Sequence, residues 1–442
     1  MDHAAAKELI DRHAIETVEC CFPDSWGVLT GRRMPAATFL RVAQTGMSMP
    51  NAPFAWDLLG HIDPTPYASA DTGFPNMFVR ADLDTLRVAP WAARTAFCLF
   101  DAFTGLDGPA HPLDPRAILR RAVARLDAIG YVAWTASELE FYLCDERWQR
   151  IYADTRCWSM DRGSDVEPVL SEMRATLRGC GVPVESSQIE YGPGQMEINV
   201  EPAEPLETAD RAAILKYVVK LIARRHGLRA TFMAMPFQDG AGSGHHLHHS
   251  LRALGSDANL FSQVDQAEGP IRSDLMRRYL AGVLAHLSEL TLVNLPTVNA
   301  YKRFEDYTFA PNRVSWGIDN RTVAVRVPLA DGPSTRLELR TASSDANPYL
   351  IMAGAIASGA DGLARELEPQ RVTEGDAYQD PDLELLPASL ATAAQAFERS
   401  PFCKGLYGET FVETFTILAR REQAIFLHHV TDWERDRYLA QA

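Results

Sequence analysis

The chain has 442 residues, 46% hydrophobic and 23% charged, a composition of a globular protein with room for two domains. Its formal charge of −15 argues against a general binder of nucleic acid or of an anionic membrane, because nothing would offset phosphate repulsion. No stretch approaches the roughly 20 apolar residues that span a bilayer, and the seven cysteines, without CxxC spacing, point to reduced thiols in a cytoplasmic protein.

The opening stretch MDHAAAKELIDRHAIE carries charge throughout and predicts an amphipathic helix, not a signal peptide. TVECCFPDSWGVLTGRRMPAATFLRVA then predicts a strand, a turn at Pro23-Asp24, a second strand and a helix. Residues 49–89 are rich in Pro, Asp and Gly, and a strand in TAFCLFDAF leads into a Pro-punctuated loop at 105–113. That loop divides the chain into a small sheet domain, 1–108, and a larger domain, 109–442. A helix (Arg116–Ile129) and a strand (Tyr131–Leu143) open the larger domain. Its middle alternates helices such as Arg211–Gly227 with strands that are polar at every second position. From Asn347 onward the pattern is helical. A sheet presenting polar side chains on one face, backed by helices, predicts an α+β fold.

Four groups of residues carry chemistry. Gly240 to Ser250, GAGSGHHLHHS, joins three glycines, which let backbone approach a ligand, to four histidines. On a strand His246 and His248 share one face while His245 and His249 share the other. Glu138 and Glu140 in SELEF likewise project from one face, where two carboxylates repel each other unless a cation lies between them. Glu190 and Glu197 flank a Gly-Pro-Gly turn that can fold them toward one point. In RLELR, Arg336, Glu338 and Arg340 share a face, and Arg303, Arg321 and Arg326 lie upstream of it. Each group alone is equally a solvated strand face, a surface hairpin or a salt-bridged sheet. Together the arginines of residues 303–340 suggest a focused anion pocket. Glutamates with one or two histidines suit hard divalent ions such as Mg²⁺ or Mn²⁺ better than zinc. Two such ions beside arginines suit phosphoryl transfer.

Taken in order, DSWGVLTGRRMP, SELEFYL, EYGPGQMEINV, GSGHHLHHSL, VNAYKRF, WGIDNRTVAVRVP and RLELRTASSDANPYL resemble the glutamine synthetase family, specifically its bacterial type I branch. The resemblance implies an N-terminal β-grasp domain, a C-terminal catalytic domain, and a homo-oligomer, a dodecamer of two hexameric rings. It implies that Glu140, Glu190 and Glu197 hold one metal ion and that Glu138, His246 and Glu338 hold the other. Arg303 and Arg340, with Gly242, are similar to the residues that bind glutamate. Arg321, Arg326 and Arg336 are similar to the phosphate-contacting set, and His248 and Ser250 to residues on the nucleotide side, with Arg303, Arg321 and Arg340 in catalytic roles. The implied reaction has ATP phosphorylate the γ-carboxylate of L-glutamate before an amine displaces phosphate.

The departures narrow the acceptor. Glutamine-forming members keep a glutamate six residues past the arginine of the NxYKR motif, and here that position is Phe309. Ala241 replaces an asparagine of the glutamate loop, and the N-terminal aspartate that serves the ammonium pocket has no clear counterpart around Met49 to Leu59. Phe cannot stabilise ammonium by charge, and its cation–π contribution is only about 0.5–2 kcal/mol. The expected activity is therefore ligation of glutamate to an organic amine, such as ethanolamine, a polyamine, or an alkyl- or arylamine, and an apolar acceptor suits Phe309 best. Glu305, Asp306 and Tyr307 are candidate bases. The alternatives are a true glutamine synthetase with a rebuilt ammonia site and a catalytically silent relative. The adenylylation loop is not recognisable near Glu384 to Ser389.

Overall fold

The structure, a computed structural model, describes residues 1–154, 156–264, 271 and 273–441. It is an α+β fold built on two sheets. The N-terminal sheet comprises β1 (Thr17–Pro23), β2 (Leu29–Pro35), β3 (Met47–Pro50), β4 (Asn76–Ala81), β5 (Arg87–Val88) and β6 (Thr95–Phe103). Its order is β2-β1-β6-β4-β3, with β5 paired to β6, and β1 and β6 run parallel. The helix Ala36–Thr45 packs against β1, β2 and β4, a helix-on-mixed-sheet arrangement of the kind a β-grasp domain has.

The larger sheet comprises β7 (Tyr131–Cys144), β8 (Val184–Ile189), β9 (Gln195–Val200), β10 (Arg229–Thr231), β11 (His245–Ala253), β12 (Trp316–Ile318), β13 (Val325–Val327) and β14 (Leu337–Leu339). Its order is β12-β13-β14-β11-β7-β9-β8, with β10 paired to β7. Strand alternation turns Leu139, Phe141, Met196 and Ile198 to the back, where they are buried with residues of the helices Met160–Gly179 and Pro205–Arg225. Each such side chain contributes about 1.5–3 kcal/mol by leaving water. Farther along the sheet, Leu247 and Leu251 enter a second core with the helices Asp274–Ala285 and Pro348–Ala364. Those helices cross where Gly282 leaves no space, since a Cβ there would stand 2.1 Å from the Ser358 carbonyl oxygen.

Two polar clusters join the N-terminal part of the chain to the helices behind the larger sheet. Arg116, fully buried at the start of the helix Pro115–Asp127, donates to both carboxylate oxygens of Asp210 at 3.0 and 2.9 Å and to Asp82 at 2.9 Å, and also pairs with Asp101. Removing one partner of such a set strands a buried charge. Asn347 caps the helix Pro348–Ala364 through its Oδ1, while its Nδ2 donates to the carbonyls of Asp24 (3.2 Å) and Ser25 (3.1 Å). The sequence expectation of a strand at Tyr131–Leu143 agrees with β7 to within a residue. The helix expected at Arg211–Gly227 instead begins at Pro205, because proline at the first turn starts a helix without loss of a needed N–H.

Candidate active site

Cross-strand register decides which polar residues meet. His246 lies opposite Glu138, and Glu197 opposite Glu140. Glu338 lies opposite His248, and Arg326 opposite Glu338. Gln188 of β8 completes the row beside Glu197. Residues spaced two apart along each strand therefore become one continuous polar front face.

That face floors a cavity of about 440 Å³. Glu138, Glu140, Glu190, Glu197, His246 and Glu338 all line it, as do Gly242, Arg303 and Arg340. Phe309, Arg321 and Arg326 complete the expected residues found there. His248, Ser250 and Arg336 lie outside its lining. His248 and Ser250 continue the same face of β11, and Arg336 Nε donates to His248 Nδ1 at 3.0 Å.

The carboxylates crowd one another. Burial and then repulsion from Glu138, Glu140 and Glu190 push the Glu197 carboxyl up to about 9, and burial with Glu140 pushes Glu190 up. Gln188 Nε2 bridges these two glutamates, donating to each at 2.9 Å. Glu138 behaves oppositely: burial would raise it, but His248 and His246 hold it well below the carboxylate range. Its Oε2 is 3.3 Å from His246 Nδ1 and its Oε1 is 2.7 Å from His248 Nε2. His248 Nδ1 accepts from Arg336, which leaves its Nε2 edge facing the Glu138 carboxylate. Glu338 is pulled down to about 2 against its burial by Arg340, His246 and His248. Arg340 Nη1 pairs with its Oε1, and Arg326 Nη1 donates to its Oε2 at 2.7 Å.

This donor set fits divalent cations. Crowded carboxylates with imidazole edges are relieved by a proton or by a hard metal ion, and their oxygen-rich chemistry favours the latter class of ligand. Ligand atoms of Glu138, Glu197 and His246 lie within 4.8 Å of one another, and so do those of Glu138, His248 and Glu338. The grouping differs from the one the family resemblance implied. Glu138 serves both groups, and His248 joins Glu338 because the register sets it directly opposite. His246 Nδ1 nonetheless lies 3.7 Å from Glu338 Oε1.

Arg303 lies across the glycine loop. It is buried, its Nη1 donates to the Ala342 carbonyl at 3.1 Å, and a Cβ on Gly242 would come within 2.6 Å of its Cγ. Among the described residues, the Nε atoms of Arg303 and Arg340 have no hydrogen-bond partner. Tyr142 Oη donates to the Ala241 carbonyl at 2.7 Å, and Glu140 Oε2 accepts from the Gly244 amide at 2.7 Å, fixing the loop on both sides.

A model of the glutamine synthetase catalytic domain matches residues 112–438 of this chain. The chain belongs to the glutamine synthetase family. A glutamate–isopropylamine ligase of a Pseudomonas species is 34% identical, covering 98% of this chain and 97% of its own. A γ-glutamylethanolamide synthetase of Streptomyces coelicolor is 37% identical, with coverage of 96% and 92%. Among solved structures, GmaS in complex with ADP superposes with a TM-score of 0.86 at 30% identity and covers 99% of both chains.

Within this family member, several cavity residues escaped the sequence reading. Gln195, inside the GPGQ turn, donates to Glu140 Oε2 (3.0 Å) and to the Gly242 carbonyl (3.1 Å), tying a cavity carboxylate to the glycine loop. Cys157, Trp158 and Tyr191 also line the cavity. Tyr191 meets Phe309 edge to face, with ring centroids 6.0 Å apart. Trp158 and Phe309 both adopt left-handed backbone, at φ of 60° and 58°, which costs a non-glycine residue about 1–2 kcal/mol. The candidate bases do not reach the cavity. Glu305, Asp306 and Tyr307 are exposed, Asp306 accepts from Asn312 at 3.4 Å, and the Tyr307 ring packs against Tyr378. His245 and His249 turn to the back as expected, bonded to Ser137 (3.0 Å) and Tyr279 (3.2 Å).

Proposed function

We propose that this chain is an ATP-dependent ligase that joins the γ-carboxylate of L-glutamate to an organic primary amine. Arg303, Gly242 and Arg340 bind the glutamate. Arg321, Arg326 and Arg336 bind the phosphates of ATP, and His248 and Ser250 serve the nucleotide side. Glu138, Glu140, Glu190, Glu197, His246, Glu338 and the added donor His248 would hold two or more Mg²⁺ or Mn²⁺ ions. Bound ions of that charge supply neutralisation of the triphosphate and of the oxygens in transfer. A division at residue 108 into β-grasp and catalytic domains, and assembly as a two-ring dodecamer, belong to the same reading.

The chemistry runs in two steps. A γ-carboxylate oxygen attacks the γ-phosphorus and the bond to the β–γ bridging oxygen breaks, releasing ADP and leaving an acyl phosphate. The amine nitrogen then attacks the acyl carbon, the carbon–oxygen bond to phosphate breaks, and the proton shed by nitrogen has the departing phosphate as acceptor. Arginines aimed at these oxygens act by position and charge.

The observation that carries an organic acceptor over ammonium is Phe309. It lines the cavity near Glu190 where a glutamate of the ammonium site is expected, and Glu305 and Asp306 offer no substitute because neither lines the cavity. The test is phosphate release from ATP and glutamate with Mn²⁺ or Mg²⁺. Turnover that depends on added isopropylamine or ethanolamine supports the reading. Turnover served equally by ammonium at the same concentration contradicts it.

A further inference from the structure

We infer that Asp345 is a positioning residue for the glutamate end of the site, fixing through Thr297 the short 3-10 helix that carries Arg303. The inference rests on the ligase reading above, in which Arg303 binds glutamate, and it adds a residue outside the cavity lining to that machinery.

Five consecutive residues beyond β14 tie down the elements around them. The Ala342 carbonyl accepts from Arg303 Nη1 at 3.1 Å, and the Ser343 amide donates at 3.0 Å to the carbonyl of Asn294, which ends the helix Leu287–Asn294. Ser344 Oγ donates to the Gly244 carbonyl of the glycine loop at 2.7 Å. The Ala346 carbonyl accepts from Lys216 Nζ of the helix Pro205–Arg225 at 2.8 Å. Asp345 is the charged member of the five. Its Oδ2 accepts from Thr297 Oγ1 at 2.8 Å, and its Oδ1 accepts from Ser343 Oγ.

Thr297 caps the 3-10 helix Val298–Arg303, its hydroxyl oxygen accepting from the Ala300 amide at 3.2 Å. A hydroxyl has one proton, and this buried one gives it to Asp345 while a lone pair holds the helix. Arg303 ends the same helix about two turns later, so a shift at the cap is carried to the guanidinium.

Charge works in the same direction as geometry. Burial pulls the Arg303 guanidinium down, and Glu140 and then Asp345 act against it. Burial pulls the Lys216 ammonium down to about 7, and Asp345 is again the opposing charge. Glu140 lines the cavity among the crowded carboxylates, whereas Asp345 does not line it. The Asp345 charge is therefore left to Arg303 and Lys216 whatever the cavity holds, and a buried cation that loses such a partner is costly.

The experiment measures kcat, KM for glutamate and KM for ATP by phosphate release, at saturating isopropylamine or ethanolamine, whichever gives the higher wild-type turnover. The variants are Asp345→Asn, which keeps shape and removes charge, Thr297→Val, which keeps shape and removes the hydroxyl, Thr297→Ser, and the double variant Asp345→Asn/Thr297→Val. Asp345→Asn and Thr297→Val are each expected to raise KM for glutamate ~10-fold, the scale of one hydrogen bond to a charged group, with kcat and KM for ATP within ~3-fold of wild type. Thr297→Ser is expected to keep the wild-type KM. The double variant is expected to show ~10-fold and not ~100-fold, because both substitutions break one bond. A ~100-fold double variant overturns the inference, as do equal rises in KM for glutamate and ATP. A less stable Asp345→Asn with unchanged KM for glutamate also overturns it, since the role is then structural only. All three outcomes leave the ligase reading intact. A wild type whose phosphate release does not depend on glutamate overturns that reading and this inference together. If Asp345→Asn does not fold, Thr297→Val and Thr297→Ser decide from the other end of the same bond.

Discussion

The two faces of β11 hold the same residue type and give it opposite fates. His246 and His248 look into a cluster of carboxylates and arginines. One step away in sequence, His245 and His249 turn to the back of the sheet and meet neutral hydroxyls, Ser137 of β7 and Tyr279 of the helix Asp274–Ala285. Burial pushes the His249 imidazole down to about 3 and the His245 imidazole well below its ordinary range, so both are uncharged parts of the core. A histidine-rich motif is therefore half site and half scaffold, and strand alternation makes the division.

The front face should be the more sensitive by far. Glu338→Ala is expected to cut ATP turnover by ~10²- to 10³-fold or more. It should also cost about 3–5 kcal/mol in unfolding free energy, because Arg326 and Arg340 lose their shared partner. Turnover that survives in a folded Glu338→Ala would remove the catalytic meaning of this face. Next comes Gly242→Ala, whose Cβ would press on Arg303. An overpacking strain of about 1–3 kcal/mol should appear as a rise of ~10-fold or more in KM for glutamate. Equal rises for glutamate and ATP would show that the loop is not specific to the glutamate end.

The back face should speak through stability. His249 is about 3 in the folded chain against about 6.5 when unfolded, so between these values the unfolded state binds the extra proton. Its contribution is present above pH ~6.5 and is lost as pH falls through that window, by at most ~1.4 kcal/mol per pH unit. Denaturant melts of wild type and His249→Gln from pH 7 to pH 4 should show the shallower acid limb in the variant. A loss of turnover larger than the change in stability would blur the division between faces. The smallest effect is expected for Ser250→Ala, the end of the front face. Loss of one neutral hydrogen bond, about 1 kcal/mol, should raise KM for ATP ~5-fold. No change would move the nucleotide away from Ser250.

Alternation with a period of two was enough to place Glu138 beside Glu140 and to separate the histidines. It was enough because the face of a strand residue depends only on its own strand. The register of one strand against the next is a non-local property, so the opposition of His248 and Glu338, and with it the sharing of Glu138, could not be read from spacing. Trp158 and Tyr191 were invisible for a related reason. They come from a loop and a turn with no periodic pattern, and only the fold carries them to the cavity that Phe309 lines. Glu305, Asp306 and Tyr307 were nearby in sequence but exposed outside the cavity, which proximity along the chain does not reveal.

The most direct measurement is phosphate release from ATP and glutamate with isopropylamine or with ammonium, each titrated through the millimolar range. Saturable, amine-dependent turnover with little response to ammonium is the predicted result. Saturable glutamine formation at millimolar ammonium would contradict the account.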